Sequence, residues 1–501
     1  MTSESKFSTT QWLIIIIASI GFLFDTYELL MTPLVVAPAI AELLKLPQNN
    51  PIVTEWVGRL LWISALCGGV FGLLGGWLVD RFGRKRIMAA SIFVYSLSPF
   101  CAAYATTLEQ FLFFRCTTFI GVCVEFVAAV TWLAEVFSDR RQREKWLGIT
   151  QAFASLGGVL VTLISVWLDA NAKSLGHLGL PLGLGAADPG KWRYLLMTGM
   201  LPAIPIALLL PFVPESRVWK ERKLQGAMKR PSFKALFAPE LRRVTIVTAI
   251  LSACAYGIAF GTLQVTVARV TPGLPEMKSE AAALVPLRKE AEALNGQLNA
   301  LPPGDPGRKA LVDQIKANFV KQQPINEKVK VKRDSVQLHQ EMGGLAGRII
   351  LALLLIVGMA RIRMLRCFQF PALVIIPLTY FHFFNTGGET FLLFYALCGL
   401  VTVAQFSFFG EYLPKVFPLH LRGTGGSFAT NVGGRMIGTF MSVVTLSFVA
   451  PMLAGSVEAV KPLHVAQAAG YVGTAMVVLG VIAAFFLPEP PAEEKREPAV
   501  S

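Results

Sequence analysis

Charge is scarce in this sequence. Of its 501 residues only 16% are Asp, Glu, Lys or Arg, and 54% are hydrophobic, whereas soluble domains carry about 25% charged residues. A soluble globular chain is thereby excluded. The seven cysteines (67, 101, 116, 123, 254, 367 and 398) lie in or beside apolar runs. None has metal-ligand spacing with histidine, and no disulfide framework is visible. No G-x-x-x-x-G-K-[ST] stretch occurs, so the chain has no nucleotide motor of its own. No nucleophile–base constellation marks an enzyme, and no cofactor or metal is expected. The start, MTSESKFSTTQ, has no small-residue cleavage site before its apolar run. It reads as a retained first span rather than a signal peptide.

What the chain has instead is apolar sequence, with a mean hydropathy of +0.55. Twelve runs approach the roughly 20 residues needed to cross a bilayer. They cover about 11–34, 57–79, 87–106, 109–134, 146–169, 193–213, 243–263, 344–361, 368–386, 390–410, 424–448 and 466–487. The net charge is +14, a surplus that could signal nucleic acid. Its position argues otherwise, because the basic residues cluster in the loops after spans 2, 4, 6, 8 and 10, as the positive-inside rule requires. Those loops and both termini are expected to be cytoplasmic, in a multi-pass cell-membrane protein (the inner membrane in a Gram-negative bacterium). The expected organisation is a six-helix half over 1–213, a cytoplasmic linker over 214–242 and a second six-helix half over 243–501. Two such halves around a midplane site are a common plan of secondary transporters.

Residues 264–342 are polar and fall on the outer side. Leu284, Leu287, Ala291, Leu294, Leu298 and Leu301 alternate at three- and four-residue steps, a short heptad seam. PPGDPG (302–307) breaks the helix. A second helical stretch follows, with Leu311, Ile315 and Phe319 on one face and an interruption expected at Pro324. The expectation is an exterior helical hairpin, the other reading being a loosely helical loop. Lys and Arg are mixed with Glu and Asp in similar numbers along it, so it presents a solvated face. Its expected role is peripheral: docking a protein or the cell envelope, or restraining the outer gate.

The loop after span 2 reads GGWLVDRFGRKR. It resembles the signature of the major facilitator superfamily, G-x-x-x-D-R-x-G-R-[KR], at Gly76, Asp80, Arg81, Gly83, Arg84 and Lys85. Gly83 permits a tight turn and Gly76 a close helix approach. PES (214–216), with Glu215, resembles an element of the sugar-transporter-like branch, although its second proline is missing. GEYLPKVFPLHLRGTGGSF resembles that branch's E-x-x-P…R-G-x-G pattern at Glu411, Pro414, Arg422, Gly423 and Gly425. Glu135 with Arg141 or Arg143 looks like the first-half counterpart. The resemblance makes these residues a gate latch. In the second half the signature has decayed to GMARIRMLR, without an Asp, which puts a symmetric pair of latches in doubt. Span 7 lacks the paired Gln usual in sugar porters. GFLFDTYELL in span 1 and a Glu in span 4 look more like the proton-coupled organic-acid and metabolite symporters of the branch. The resemblance implies the major facilitator fold: an all-α membrane protein of twelve transmembrane helices in two six-helix halves, here with the hairpin inserted.

Span 4, FLFFRCTTFIGVCVEFVAAVTWL, carries Arg115 and Glu125. Ten residues place them roughly 15 Å apart in depth and roughly 80° apart around the axis, so each needs its own partner or job. Asp25 and Glu28, three residues apart, share one face of span 1. The resemblance puts spans 1, 4, 7 and 10 around the central cavity and associates the Arg of R-x-x-x-x-x-G, here Arg115, with proton coupling. Asp25, Glu28, Arg115 and Glu125 are therefore the proton-coupling candidates. Arg348 and Arg435 are candidates for holding a substrate carboxylate by a bidentate pair. Asn431, one turn before Arg435, joins them, as do Tyr27, Gln151, Tyr256 and Gln405. The expected function is proton symport of a small organic anion by alternating access, in a monomeric unit embedded in lipid, with no nucleic-acid partner. The alternatives are a sugar or polyol uniporter or exporter, and a non-transporting sensor or scaffold using the hairpin.

Overall fold

The computed structural model describes residues 8–46, 51–137, 142, 146–150, 153–175, 190–225, 231–302, 305, 307–456 and 459–490. Regular structure among them is helical throughout. Eleven helices are long and apolar enough to cross a membrane. The remaining span, Arg84–Ala102, has 19 residues and a length of about 28 Å, close to the hydrocarbon thickness of a bilayer. It falls short in apolarity chiefly because it opens on Arg84, Lys85 and Arg86. With it, the described residues hold twelve membrane-crossing helices, those of a multi-pass membrane protein.

Local chemistry sets the helix ends. Ser8 and Gln11 form a capping box that starts span 1, Thr9–Leu44. The Thr107 hydroxyl accepts from the Gln110 N–H at the start of span 4, Leu108–Val136. Four apolar cores form, two from residues below 214 and two from residues above 235. None of the four mixes residues from the two halves. The same backbone crossing recurs in each half. Gly157 of span 5 meets the Leu23 carbonyl of span 1, and Gly433 of span 11 meets the Ala249 carbonyl of span 7. Spans 7, 9 and 11 also contain widened π-helical stretches, including Ala259–Gln264, Leu378–Phe383 and Phe428–Gly438. Apolar periodicity does not announce these.

The polar insertion folds as two helices, Lys278–Ala300 and Gly307–Ile356. Their partners run in reverse order: Glu276 with Lys332, Glu280 with Lys328, and Glu290 with Asn318. The pair is therefore antiparallel. Arg308 closes the first helix by donating to the Leu298 and Leu301 carbonyls. Three expectations need correction. Pro324 does not interrupt the second helix, which continues through it into span 8. Pro324 is exposed, so the carbonyl its ring leaves unbonded faces water. Phe319 is also exposed, and Asn318 and Gln322 take the seam beside Ile315. The base of the hairpin is no loop either: span 7 continues to Gly273, and Leu274, Met277 and Val336 belong to an apolar core of the second half.

Candidate functional site

At one end of the bundle the two halves are locked by charge. Asp80, near the end of span 2, is fully buried. Its Oδ1 accepts from the Gly423 N–H at 3.0 Å, and its Oδ2 from the Thr424 N–H at 2.7 Å and the Thr424 hydroxyl at 2.8 Å. Arg84 lies 3.4 Å from Asp80. It donates to Glu135 at 3.0 and 3.1 Å and, across the halves, to the Leu419 carbonyl at 3.0 Å. Arg422 of the second half reaches the same Glu135 at 3.3 Å. Glu215 accepts from the N–H groups of Arg84 and Lys85 and so caps span 3.

Glycine makes this geometry possible at two points. Gly83 turns the chain at φ 111°, a conformation other residues rarely adopt. A Cβ on Gly76 would lie 2.2 Å from the Ser427 Cβ across the half boundary. Arg81 takes no part in the lock, because it stacks on Trp77 with its guanidinium carbon 4.9 Å from the ring centroid. Three further participants complete the lock, of which Ser216 lay in a stretch the sequence singled out. Ser216 donates to Glu135, Trp219 donates to the Asp80 carbonyl, and Thr424 contributes two of the donors above. Arg143 lies outside the described residues. The second half keeps a partial counterpart, with Arg361 3.2 Å from Glu411 and Lys415 on the same carboxylate.

The charges inside the bundle form two groups. Arg115 pairs with Glu28 of span 1 at 3.8 Å and donates to Thr32. Glu125, deeper in span 4, belongs to the other group. It is fully buried, and neither carboxylate oxygen has a hydrogen-bond partner among the described residues. It interacts electrostatically with Asp25 and Arg435, and Asp25 does so with Arg435 and Arg348. Acids from the first half thus face guanidiniums from the second. Arg435 donates to Asn431 at 2.8 Å, and Asn431 donates to Ser427, whose hydroxyl donates to the Gly72 carbonyl of span 2. Arg435 sits in the π-helical stretch of span 11, a distortion often found at functional sites.

Of the aromatic and amide candidates, Tyr256 joins this group, within electrostatic reach of Arg435 and Arg348. Tyr27 does not, since its hydroxyl is bonded to Thr198 inside the first half. The Gln405 amide donates to Val401 of its own helix, and Gln151 lies outside the described residues. Two contributors escaped the sequence reading. Gly21 makes room for Glu125: a Cβ there would lie 2.3 Å from its Oε1. Its place one turn before Asp25 was an available signal. Glu341 interacts with Arg348, but it was hidden in the stretch assigned to the exterior.

The fold and its polar interface define a twelve-helix, two-half membrane protein of the carrier type. Residues 8–286 match the Major Facilitator Superfamily, and the chain belongs to that family. It is 31% identical over 208 residues to the inner membrane metabolite transport protein YgcS of Escherichia coli strain K12, covering 41% of this chain and 42% of that one. It is 26% identical over 200 residues to the niacin transporter NiaP of Acinetobacter baylyi, covering 40% of each. The matched stretch therefore spans about two fifths of the length of these relatives. The solved structure of the proton:xylose symporter XylE matches 96% of both chains, with a TM-score of 0.62 at 15% identity, a likeness of fold.

Proposed function

We propose that this chain is a secondary active transporter that moves a small organic carboxylate together with a proton, by exposing the interface between its halves to each membrane face in turn. The observation that carries the reading is the buried facing of Asp25 and Glu125 by Arg348 and Arg435. A substrate carboxylate offers the guanidiniums a planar bidentate partner and displaces the protein's own acids from that role. Charge balance supports a proton. Asp25, Glu28, Glu125 and Glu341 are four carboxyls set against the guanidiniums of Arg115, Arg348 and Arg435. An excess carboxylate is costly in a low-dielectric interior, and one bound proton removes it.

The names of relatives point the same way. Niacin, cis,cis-muconate and 4-hydroxybenzoate, the cargoes in three of those names, are all carboxylic acids. Other relatives are named for arabinose and glucose, which favours sugar transport as the second reading. On the positive-inside rule the locked end is cytoplasmic, so the structure represents a state closed to the cytoplasm. The test is uptake by the purified chain in liposomes under an imposed pH step, offering nicotinate, benzoate, muconate, glucose and arabinose. Accumulation of acids that collapses with the pH step is expected. Accumulation of sugars alone, or of nothing, overturns the reading.

A further inference from the structure

Spans 3 and 4 each carry, where they cross, a fully buried polar side chain with unused hydrogen-bonding capacity. The Tyr95 hydroxyl, like both Glu125 carboxylate oxygens, has no hydrogen-bond partner among the described residues. Glycine fixes the crossing: a Cβ on Gly121 of span 4 would lie 2.7 Å from the Tyr95 nitrogen and 2.8 Å from the Tyr95 Cβ. The two helices run antiparallel, since Arg84 at the start of span 3 pairs with Glu135 near the end of span 4. Glu125 stands one turn beyond Gly121, on nearly the same face. Helical side chains lean toward their own N-terminus, so Tyr95 leans along span 3 toward the level of Glu125.

The acids of span 1 bracket this position. Glu125 lies against Gly21, where a Cβ would be 2.3 Å from its Oε1. Glu28 is seven residues further along span 1, about 10 Å away along the axis. A Cβ on Gly199 would lie 2.3 Å from the Glu28 Oε1 and 2.9 Å from the Cγ of Pro99, so Glu28 is level with Pro99, one turn beyond Tyr95 in span 3. Tyr95 therefore stands between the levels of the two acids. Glu125, Asp25 and Glu28 are the titratable groups within its electrostatic reach. Asp25 is drawn toward Arg435 and Arg348 of the second half, whereas Glu28 pairs with Arg115 of its own half. A buried hydroxyl without a partner is a cost that phenylalanine would avoid, which points to a use beyond packing.

We infer that the Tyr95 hydroxyl relays the proton between Glu28 and Glu125. This rests on the proton-symport reading above. A proton passes over a hydrogen bond of about 2.6–3.2 Å or through one water, and about 10 Å is too far for one such step. In the relay, the O–H bond of protonated Glu28 breaks as the Tyr95 oxygen takes that proton, while the phenol O–H breaks and a new O–H bond forms on Glu125. Tyr95 gains one proton and loses one, and so ends neutral. Glu28 is left ionised beside Arg115, and Glu125 is left neutral.

Tyr95→Phe tests the relay in the full chain reconstituted in liposomes. The solute is the one that wild type accumulates fastest under a pH step among nicotinate, benzoate, muconate, glucose and arabinose, corrected for protein-free liposomes. Initial pH-driven uptake should fall about tenfold or more. Exchange between equal solutions at constant pH needs no proton transfer inside the protein, so it should keep its wild-type rate. Tm should not fall, because the lost hydroxyl bonds nothing. If the variant takes up solute at the wild-type rate, the relay is wrong and the symport reading stands. If uptake and exchange fall equally, the hydroxyl is structural and the relay is again wrong. If wild type accumulates no solute under the pH step, the symport reading fails and takes the relay with it.

Discussion

Asp80→Asn tests the lock at a single atom pair. The substitution preserves shape but leaves one acceptor oxygen where the carboxylate had two. The best placement puts that oxygen at Oδ2, keeping the two Thr424 bonds in neutral form, and turns the amide NH2 toward the Gly423 N–H and Arg84. A charge-assisted bond is worth about 1.5–3 kcal/mol and a neutral one about 1 kcal/mol. Losing the Gly423 bond and weakening the other two therefore costs the closed state about 4 kcal/mol. Against this, an amide is cheaper to bury than a carboxylate, by an amount of order 2 kcal/mol once Arg84 has already compensated part of that charge. The net is about 2 kcal/mol against closure, or roughly 30-fold in the closed-to-open ratio. Spin labels at positions 86 and 363, both exposed at the locked end, report the separation of the halves. The Asn variant should lose closed population in favour of longer distances, and uptake should slow. A folded Asp80→Asn protein with the wild-type distance distribution would refute the argument, because the cross-half bonds would then contribute nothing to closure.

Gly76→Ala should open the same end by a different route, since its Cβ meets the Ser427 Cβ across the boundary; the 86–363 distances check it. Glu125→Gln, which cannot exchange a proton, should abolish accumulation driven by a pH step while substrate exchange between equal solutions persists; continued uphill accumulation would remove Glu125 from the proton path. Replacing residues 293–315 by a short Gly/Ser turn should leave a folded carrier with unchanged substrate preference, because that cut spares Leu274, Met277 and Val336; a change in which solute is taken up counts against a peripheral role. Burial opposes the charge on Glu276, yet the Lys332 ammonium and the Gly388 N–H together hold its carboxyl below the usual range. Its stabilising contribution is therefore complete above the unfolded value of about 4.3 and lost as pH falls through the folded one. Protection factors of the hairpin amides, taken relative to the intrinsic exchange rate at each pH, should be flat from about pH 7 to 5 and fall only in more acidic solution, and Glu276→Gln should reduce that fall.

The sequence made the membrane spans legible because an apolar run is a direct consequence of lipid contact. Span 3 was legible too, although its basic first turn, Arg84 to Arg86, lowers its apolarity. The lock was readable as a motif, but not the atoms it uses. Arg81 belongs to the pattern and stacks outward on Trp77, whereas Thr424 and Trp219 complete the lock through donors that any Thr or Trp carries. Pro324 misled because the helix continues through it on an exposed face, where water can bond the freed carbonyl. The charged cluster was legible as a set of unlikely residues in apolar surroundings. Its pairing was not, because Asp25 and Arg435 are 410 positions apart and nothing local links them. Periodicity also says nothing about the widened turns that hold Arg435.

The lock and the central cluster lie on the same boundary between halves, and both hold it with opposite charges. Opening the locked end separates Asp80 from Gly423 and Thr424 and Glu135 from Arg422, so the carrier needs some gain elsewhere that is absent while it is empty. In the central cluster the acids already occupy the electrostatic reach of Arg348 and Arg435, and an empty carrier gains nothing there by moving. A carboxylate held by the guanidiniums and a proton on Asp25 or Glu125 change that balance together. The anion without the proton leaves two negative groups competing for the same cations. The proton without the anion leaves the guanidiniums facing fewer charges. With four carboxyls set against three guanidiniums, the doubly loaded state carries the same buried charge as the empty one, whereas the anion alone deepens the carboxylate excess. Coupling then follows from the cost of burying unbalanced charge, and it makes a quantitative demand: Glu125→Gln should convert coupled uptake into exchange without weakening substrate affinity by more than a few fold.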